Sequence, residues 1–489
     1  MAKPKYKFQM YKQLQANIPN IYAEAKKAAD EIGIPADIKG KFGLTGGISG
    51  CPAPLRKDIL EASERGAREV IPLAKLVDEI REIVKDAYGD EYDAMAVSTC
   101  EAGLWVTFDT LFTPPALGRG DNYRTRYIIP FEKHLHHHGG YGRPFPPKFK
   151  DVFADRGSTP GELGFYGKRQ NNMDTVIVPL EGAKYDCHGI KYWPTPLLTE
   201  VDPEASVEKM AMYAETHQGM LTGFTSLGYE TPGYGYGAKD EDGTPLLNKY
   251  MAELAHSYDV PYVVDNAWGT FVGHDPRKSG ADVVIYSMDK TAGAATSGLI
   301  IGKEDVMVQI RRALGVHGDR WGTTGSYGKA AYVTFDPGKE ALLTQIQALK
   351  VAKDHPEVLT KPCDDLYRIV TEEFAKINLP KHLKDDFIFN KSYNSRAVEV
   401  NYEGTWKNGG LGIPIFSIED MYSGTNIFQV GMGQFGVIPT VAYDGNIYIS
   451  PDLATTDENG MLLEDVTRYG IKALVKLIEI TCKYAGLLD

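Results

Sequence analysis

The chain has 489 residues, 43% of them hydrophobic and 24% charged, without a low-complexity block, so it is globular and long enough for two substantial cores. Its 53 basic and 65 acidic residues give a formal net charge of −12. That balance disfavours the extended basic surface on which nucleic-acid binding depends, and the pairs Arg124/Arg126 and Arg311/Arg312 are too short to supply one. No apolar run approaches the roughly 18–20 residues of a membrane-spanning helix, and the first residues, MAKPKYKFQMYKQ, lack a signal-peptide core. A cytoplasmic, membrane-free protein is therefore expected. Cys51, Cys100, Cys187, Cys363 and Cys482 show neither a CxxC pair nor metal-ligand spacing, which predicts reduced thiols.

Along the chain, two helical patterns (YKQLQANIPNIYAEAKKAADEIG and PLRKDILEASERGAREVIPLAKLVDEIREIVKDAYG) flank a Gly-rich break at 41–55. Strand-like runs follow at 92–99, 126–130, 175–180, 219–226, 261–265, 282–287 and 298–302, separated by helical or loop segments. This alternation predicts an α/β fold with a mostly parallel, doubly wound sheet. Between about 140 and 190 the sequence is rich in Gly, Pro and aromatics and reads as an insertion, either a cover over a site or part of an oligomer contact. After about residue 330 helices give way to strand-like pieces, SRAVEVNY and NIYISP, and a closing helix. The expected organisation is an N-terminal arm with helices (1–75), a large domain (76–330) and a small C-terminal α+β domain (331–489) joined in space by part of the arm.

Asp265 and Lys290 end two of the apolar runs, VPYVVDNAWG and ADVVIYSMDK. In an open α/β sheet both side chains would reach the crevice at the strand C-termini. A buried lysine is a latent amine nucleophile, and a buried carboxylate needs a cationic partner. One chemistry uses both: pyridoxal 5′-phosphate (PLP) held as a Schiff base on the lysine, with the carboxylate keeping the pyridinium nitrogen protonated. Ser287 precedes the lysine by three residues, and the small-residue loop TAGAATSG follows it. The stretch GADVVIYSMDKTAGAATSGLIIGKEDVMVQIRR (280–312), with VVDNAWG before it, resembles the lysine segment of the fold-type I PLP enzymes. Within that aspartate aminotransferase superfamily it looks like the lysine segment of selenocysteine synthase (L-seryl-tRNA selenium transferase) and its ammonia-lyase relatives. The similarity is strongest over about 260–312, and looser over about 92–137 and 445–460.

The resemblance implies the rest of a site. Ser98, Thr99, Cys100 and the backbone of Glu101 stand where the family places the cofactor phosphate, at a helix N-terminus suited to an anion. Ser287 is the second phosphate ligand. His134, or next His136, would stack on the ring and help move protons; metal binding by the His134–His138 cluster lacks an acidic or cysteine partner. Thr225 or Ser226 would meet the cofactor's 3′ oxygen, and Asn266 would orient Asp265 or cap a turn. Trp268 reads as wall packing. Thr323, with Gly322 and Thr324, resembles a loop that completes a neighbouring subunit's phosphate site, so a homodimer or higher even-numbered homo-oligomer is implied. Many relatives bind the substrate carboxylate with an arginine that aligns with Tyr448, where this chain departs; Arg396 is the nearest substitute.

These residues imply an enzyme acting on an amino acid or small amine through Lys290, with β-elimination or β-replacement as the expected reaction. Aminotransfer is the alternative, ahead of decarboxylation, aldol cleavage or tRNA-linked amino acid conversion. An idle scaffold is the non-catalytic reading, against which the Asp265, Ser287 and Lys290 set speaks. A dinucleotide oxidoreductase lacks its GxGxxG after the first strand.

Overall fold

A proline divides the second of the N-terminal helical patterns. The structure, a computed structural model, describes residues 3–45, 51–112, 126–131, 174–181, 201–269, 271–314, 335–405, 411–416, 427–439 and 446–488. Helix α1 spans Lys7–Ile32 and is closed by Gly33 in the left-handed conformation. The second helical pattern divides into α2 (Lys57–Arg68) and α3 (Leu73–Tyr88), because Pro72 is extended and cannot continue a helix.

Contacts divide the described residues into two units, one of those up to 54 together with those from 357 onward, the other of those between 55 and 356. The divisions thus fall after Pro54 and Pro356, where the sequence suggested about 75 and 330. The helix Lys339–Asp354 accounts for the later boundary: it packs on α2 and α3 within the second unit, where Gln347 reaches Asp58 at 3.1 Å and Lys350 reaches Glu79 at 2.6 Å.

The second unit is built on a seven-stranded sheet of β1 (Tyr92–Val97), β2 (Arg126–Phe131), β3 (Asp174–Pro179), β4 (Leu221–Leu227), β5 (Tyr262–Asp265), β6 (Val283–Ser287) and β7 (Gly298–Lys303). Their spatial order is β1-β7-β6-β5-β4-β2-β3. Strands β3, β2, β4, β5 and β6 run parallel, and β7 is antiparallel to both β6 and β1. This is the mostly parallel α/β sheet that the alternation predicts. Strands β4, β5 and β6 are buried along their whole length, as expected of strands covered on both faces.

At the opposite end of β1 from its helix connection, Asp93 is fully buried and accepts from Arg81 Nε at 2.6 Å and Nη2 at 3.0 Å. Arg311 pairs with the same carboxylate and with Glu304. Burial, with repulsion from Arg81, pulls the Arg311 guanidinium down to about 10. Removing this buried carboxylate takes away the partner that Arg81 and Arg311 share and leaves them with Asp78 and Glu304, so Asp93→Ala is expected to cost about 3 kcal/mol, read as a lower urea midpoint.

The first unit carries an antiparallel three-stranded sheet, ordered β10 (Asn446–Ile449), β9 (Ala397–Tyr402), β8 (Phe387–Ser392). One face, with Val398, Val400, Ile447 and Ile449, joins a core with Met10, Leu14 and Ile21 of α1 and Leu474 and Ile478 of the closing helix Glu464–Tyr484. Segment 42–45 enters this unit by backbone bonds: Gly43 N–H donates to the Leu453 carbonyl at 2.9 Å and Ile438 N–H to the Phe42 carbonyl at 2.9 Å.

Candidate active site

Register brings the chemistry-bearing residues to one rim of the sheet. Leu227 pairs with Asp265, Asp265 with Ile285, Ser287 with Gly298, and Gly298 with Val97. The C-terminal ends of β1, β4, β5 and β6 therefore lie together with the start of β7. Helix α4 (Cys100–Leu111) begins at this rim, capped by Thr99, whose hydroxyl accepts from Ala102 N–H at 3.0 Å.

Faces alternate along each strand, so Asp265 shares its face with Val263, Thr225, Leu227 and Ile285. Helix α4 covers that face: a Cβ on Gly103 would stand 3.1 Å from Ile285 Cγ2 and 3.3 Å from Ile300 Cγ1. Asp265 is 1% exposed and accepts from Ala267 N–H at 3.1 Å. Burial pushes its carboxyl up to about 7; Glu101 adds to the rise, and Lys290 opposes it. Thr225 is wholly buried on the same face, and its Oγ1 has no hydrogen-bond partner among the described residues.

Ser226 and Asn266 are not brought to this face. The Ser226 hydroxyl lies 2.5 Å from Tyr262 Oη and 3.1 Å from Asn248 Nδ2, in a cluster on the opposite side of the sheet. The Asn266 amide bonds to Tyr286 and is wedged between Gly228 and Gly269; a Cβ on Gly228 would lie 2.6 Å from its Oδ1. In both cases the two-residue period decides: each follows, by one position, a residue that faces α4.

Lys290 sits in the short connection between β6 and β7, with Nζ 6.0 Å from the Trp268 ring centroid. Trp268 is 5.9 Å from the Tyr229 ring, so it forms a wall beside the lysine. Thr291 Oγ1 donates to the Trp268 carbonyl at 2.5 Å, tying the lysine loop to the loop after β5. At the other pole, Ser287 Oγ donates to Asp289 Oδ1 at 2.6 Å. Asp289 is a site residue that sequence reasoning missed; its signal is the two-residue spacing in SMDK. The Cys100 thiol is buried, and burial first, then Asp265 and Glu101, push it well above its ordinary range. It packs beside the site as a neutral thiol. Ser98 is half-buried and its N–H donates to the Phe335 carbonyl at 2.6 Å; Glu101 is exposed in the first turn of α4.

Close packing holds the rim. A Cβ on Gly298 would stand 2.5 Å from the Thr99 carbonyl carbon and oxygen and 2.7 Å from Cys100 N. Gly298→Ala must push β7 away from the β1–α4 turn, at an expected cost of about 1–3 kcal/mol in denaturant unfolding.

His134, His136 and Thr323 lie outside the described residues. Arg396 and Tyr448 belong to the first unit. Arg396 is 2% exposed; its guanidinium pairs with Asp452 and donates to the Gly460 carbonyl at 3.3 Å, so its fork is engaged inside that unit. Tyr448 is buried on β10, paired across the ladder with Glu399.

No family model matches the chain. A solved SepCysS–SepCysE N-terminal domain complex aligns at TM-score 0.51 and 12% identity, covering 91% of this chain and 96% of that one. Pyridoxamine-pyruvate aminotransferase from Mesorhizobium loti aligns at 0.50 and 13%, over 92% and 98%. The chain shares the fold of these two solved proteins. Among curated proteins, the arginine decarboxylase of Bacillus anthracis is 30% identical over 105 residues, and the match spans 20% of this chain and 21% of that relative.

The residues of this rim fit PLP. A buried carboxylate, a lysine beside it and an orphaned hydroxyl on the carboxylate's face are the groups a pyridine ring with a 3′ oxygen and an aldehyde would satisfy. None of the described residues forms a cluster able to hold a metal ion, and no described helix is long and apolar enough to cross a membrane.

Proposed function

We propose that this chain is a PLP-dependent enzyme acting on an amino acid or related small amine, with Lys290 as the residue that carries the cofactor. The observation that supports this most directly is the burial of Asp265 beside Lys290, with the unpartnered Thr225 hydroxyl on the same face. Asp265 would hold a proton on the ring nitrogen, Thr225 would contact the 3′ oxygen, and Trp268 would wall one side of the lysine. Ser98, Thr99, the Glu101 backbone and Ser287 would hold the phosphate at the start of α4, where Ser287 must turn from Asp289. Bound PLP supplies an electron-accepting ring that draws electrons from Cα of an attached amine. Lys290 Nζ would be the base that takes or returns the proton at the substrate's Cα.

Lyase-type β-elimination or β-replacement is the reaction we assign, on the resemblance of the lysine segment to the ammonia-lyase group. Decarboxylation of a basic amino acid is the second reading, favoured by the partial match to arginine decarboxylase. The working form is a homodimer or a higher even-numbered homo-oligomer. A panel of amino acids, assayed in parallel for released ammonia, carbon dioxide and oxo acid formed at the expense of an added acceptor, separates the readings. Ammonia without added acceptor supports the lyase; carbon dioxide supports the decarboxylase; acceptor-dependent oxo acid supports aminotransfer. Protein that takes up no PLP and turns over nothing overturns the assignment.

A further inference from the structure

Arg56 immediately precedes α2, is 8% exposed, and turns its side chain onto Asp58 in the first turn of that helix. Nε donates to Asp58 Oδ1 and Nη2 to Asp58 Oδ2, each at 3.0 Å, so one edge of the guanidinium is closed by a two-bond pair. Burial raises the Asp58 carboxyl, but the bonds from Arg56 and Gln347 outweigh it and hold that carboxyl below its ordinary value, which keeps the pair ionised. A guanidinium carries five N–H donors. Its other edge here, made of Nη1 and the second hydrogen of Nη2, meets no acceptor among the described residues.

That free edge faces the lysine loop. A Cβ on Gly293 would lie 3.5 Å from Arg56 Nη1, and Gly293 N–H donates to the Lys290 carbonyl at 3.1 Å. Being glycine, at a φ of +76°, residue 293 puts no side chain in front of Nη1. The helix Lys339–Asp354 braces both partners from one face: Gln347 Nε2 donates to Asp58 Oδ2 at 3.1 Å, and Thr344 Oγ1, one turn earlier, accepts from Ala295 N–H at 3.1 Å. A guanidinium fixed on one edge and bare on the other is preorganised for a planar oxyanion, which takes parallel N–H···O bonds from Nη1 and Nη2. An amino acid reacting beside Lys290 carries a carboxylate on the carbon that bears its amine. We propose that Arg56 receives this carboxylate and so sets a preference for amino acids over plain amines. Arg396, the sequence candidate for that role, is already engaged by Asp452 and the Gly460 carbonyl. The inference rests on the PLP reading and adds to it the residue that reads the acid group.

Two O-substituted hydroxylamines test it: aminooxyacetate, which has a carboxylate, and methoxyamine, which has none. Both condense with PLP and discharge its visible band, so stopped-flow absorbance of the full-length, PLP-loaded protein gives two rates, each divided by that reagent's rate with free PLP. Aminooxyacetate should outpace methoxyamine on the unaltered protein by roughly tenfold or more. In Arg56→Gln that advantage should vanish while the methoxyamine rate stays as it was. Arg56→Lys keeps a charge beside Asp58 but loses the planar fork; it should lose most of the advantage, and it keeps the test open if Arg56→Gln fails to fold. No advantage in the unaltered protein, or one that survives in both variants, overturns the inference. So does weaker retention of PLP, but not of pyridoxal, in Arg56→Gln, which would give the arginine to the cofactor phosphate. Unaltered protein that forms no visible band with PLP sinks the PLP reading itself, and the role of Arg56 with it.

Discussion

Lys290→Ala is expected to lose roughly 10³-fold or more in turnover, because one side chain serves both as the covalent attachment and as the proton carrier at Cα. The measurement is borohydride reduction followed by peptide mapping. In the unaltered protein the cofactor should be fixed to the peptide carrying Lys290 and the visible absorption band should disappear. In Lys290→Ala no peptide should be labelled, while the fold, read by its unfolding midpoint, stays near that of the unaltered protein. Label on another lysine would sink the assignment of Lys290. The loop geometry makes folding a weak confounder: Lys290 is only partly buried, and the loop is tied down by Thr291 rather than by the lysine itself.

Asp265→Ala is the second large effect, about 10²–10³-fold in kcat, the range for removing one preorganised electrostatic group from an enclosed site. Asp265→Asn should fall nearly as far, because it keeps the shape and loses the charge. Linkage gives this position a second signature in cofactor-free protein. The folded carboxyl titrates at about 7, above its ordinary value of 3.8, so the folded state binds that proton more tightly than the unfolded chain does. The resulting stability is fully present below about pH 4, is lost as pH rises through about 7, and is then flat. At about 1.4 kcal/mol per unit the loss is about 4 kcal/mol at most. Cofactor-free Asp265→Asn should therefore match the unaltered protein in urea at pH 4 and exceed it at pH 8. Equal stability at pH 8 would show that Asp265 is not held protonated by burial. PLP should narrow the difference, since a cationic ring nitrogen beside the carboxylate restores the ionised form.

Much of the large sheet was readable from the chain. Its seven strand runs are short, β-branched and bounded by turn residues, and the Asp265 and Lys290 positions follow from where two of those runs stop. The faces were not readable. Thr225 and Ser226 are equally polar neighbours on a strand apolar on both sides, so no alternation marks which of them looks toward Asp265; only the pairing of Leu227 with Asp265 settles it. Asn266 was drawn into the site by adjacency, yet adjacency along a strand is what turns it away, toward Tyr286. Arg396 stood out as the small domain's arginine, but its partner Asp452 lies 56 residues downstream and no local pattern announces the pair. The polar face of Glu399, Asn401 and Asn446 was hidden likewise, because Glu399 and Asn401 in AVEVNY read as the solvent side of an amphipathic strand and Asn446 as the turn residue that opens NIYIS. Strand β8 went unnoticed, its FIFNKS run lacking the β-branched density of the others.

The pairing of α1 with the closing helix Glu464–Tyr484 sets a timetable for making the protein. Residues 55–356 can leave the ribosome and settle into their own unit while the apolar stripe of Met10, Leu14 and Ile21 still lacks its partners, which lie roughly 300 residues or more behind the first segment. Through most of synthesis the first helix is thus an uncovered greasy surface. A chain stopped shortly before residue 464 would keep the seven-stranded sheet and leave that stripe uncovered, so stalled or truncated products are the ones a cell's chaperones and proteases would have to handle.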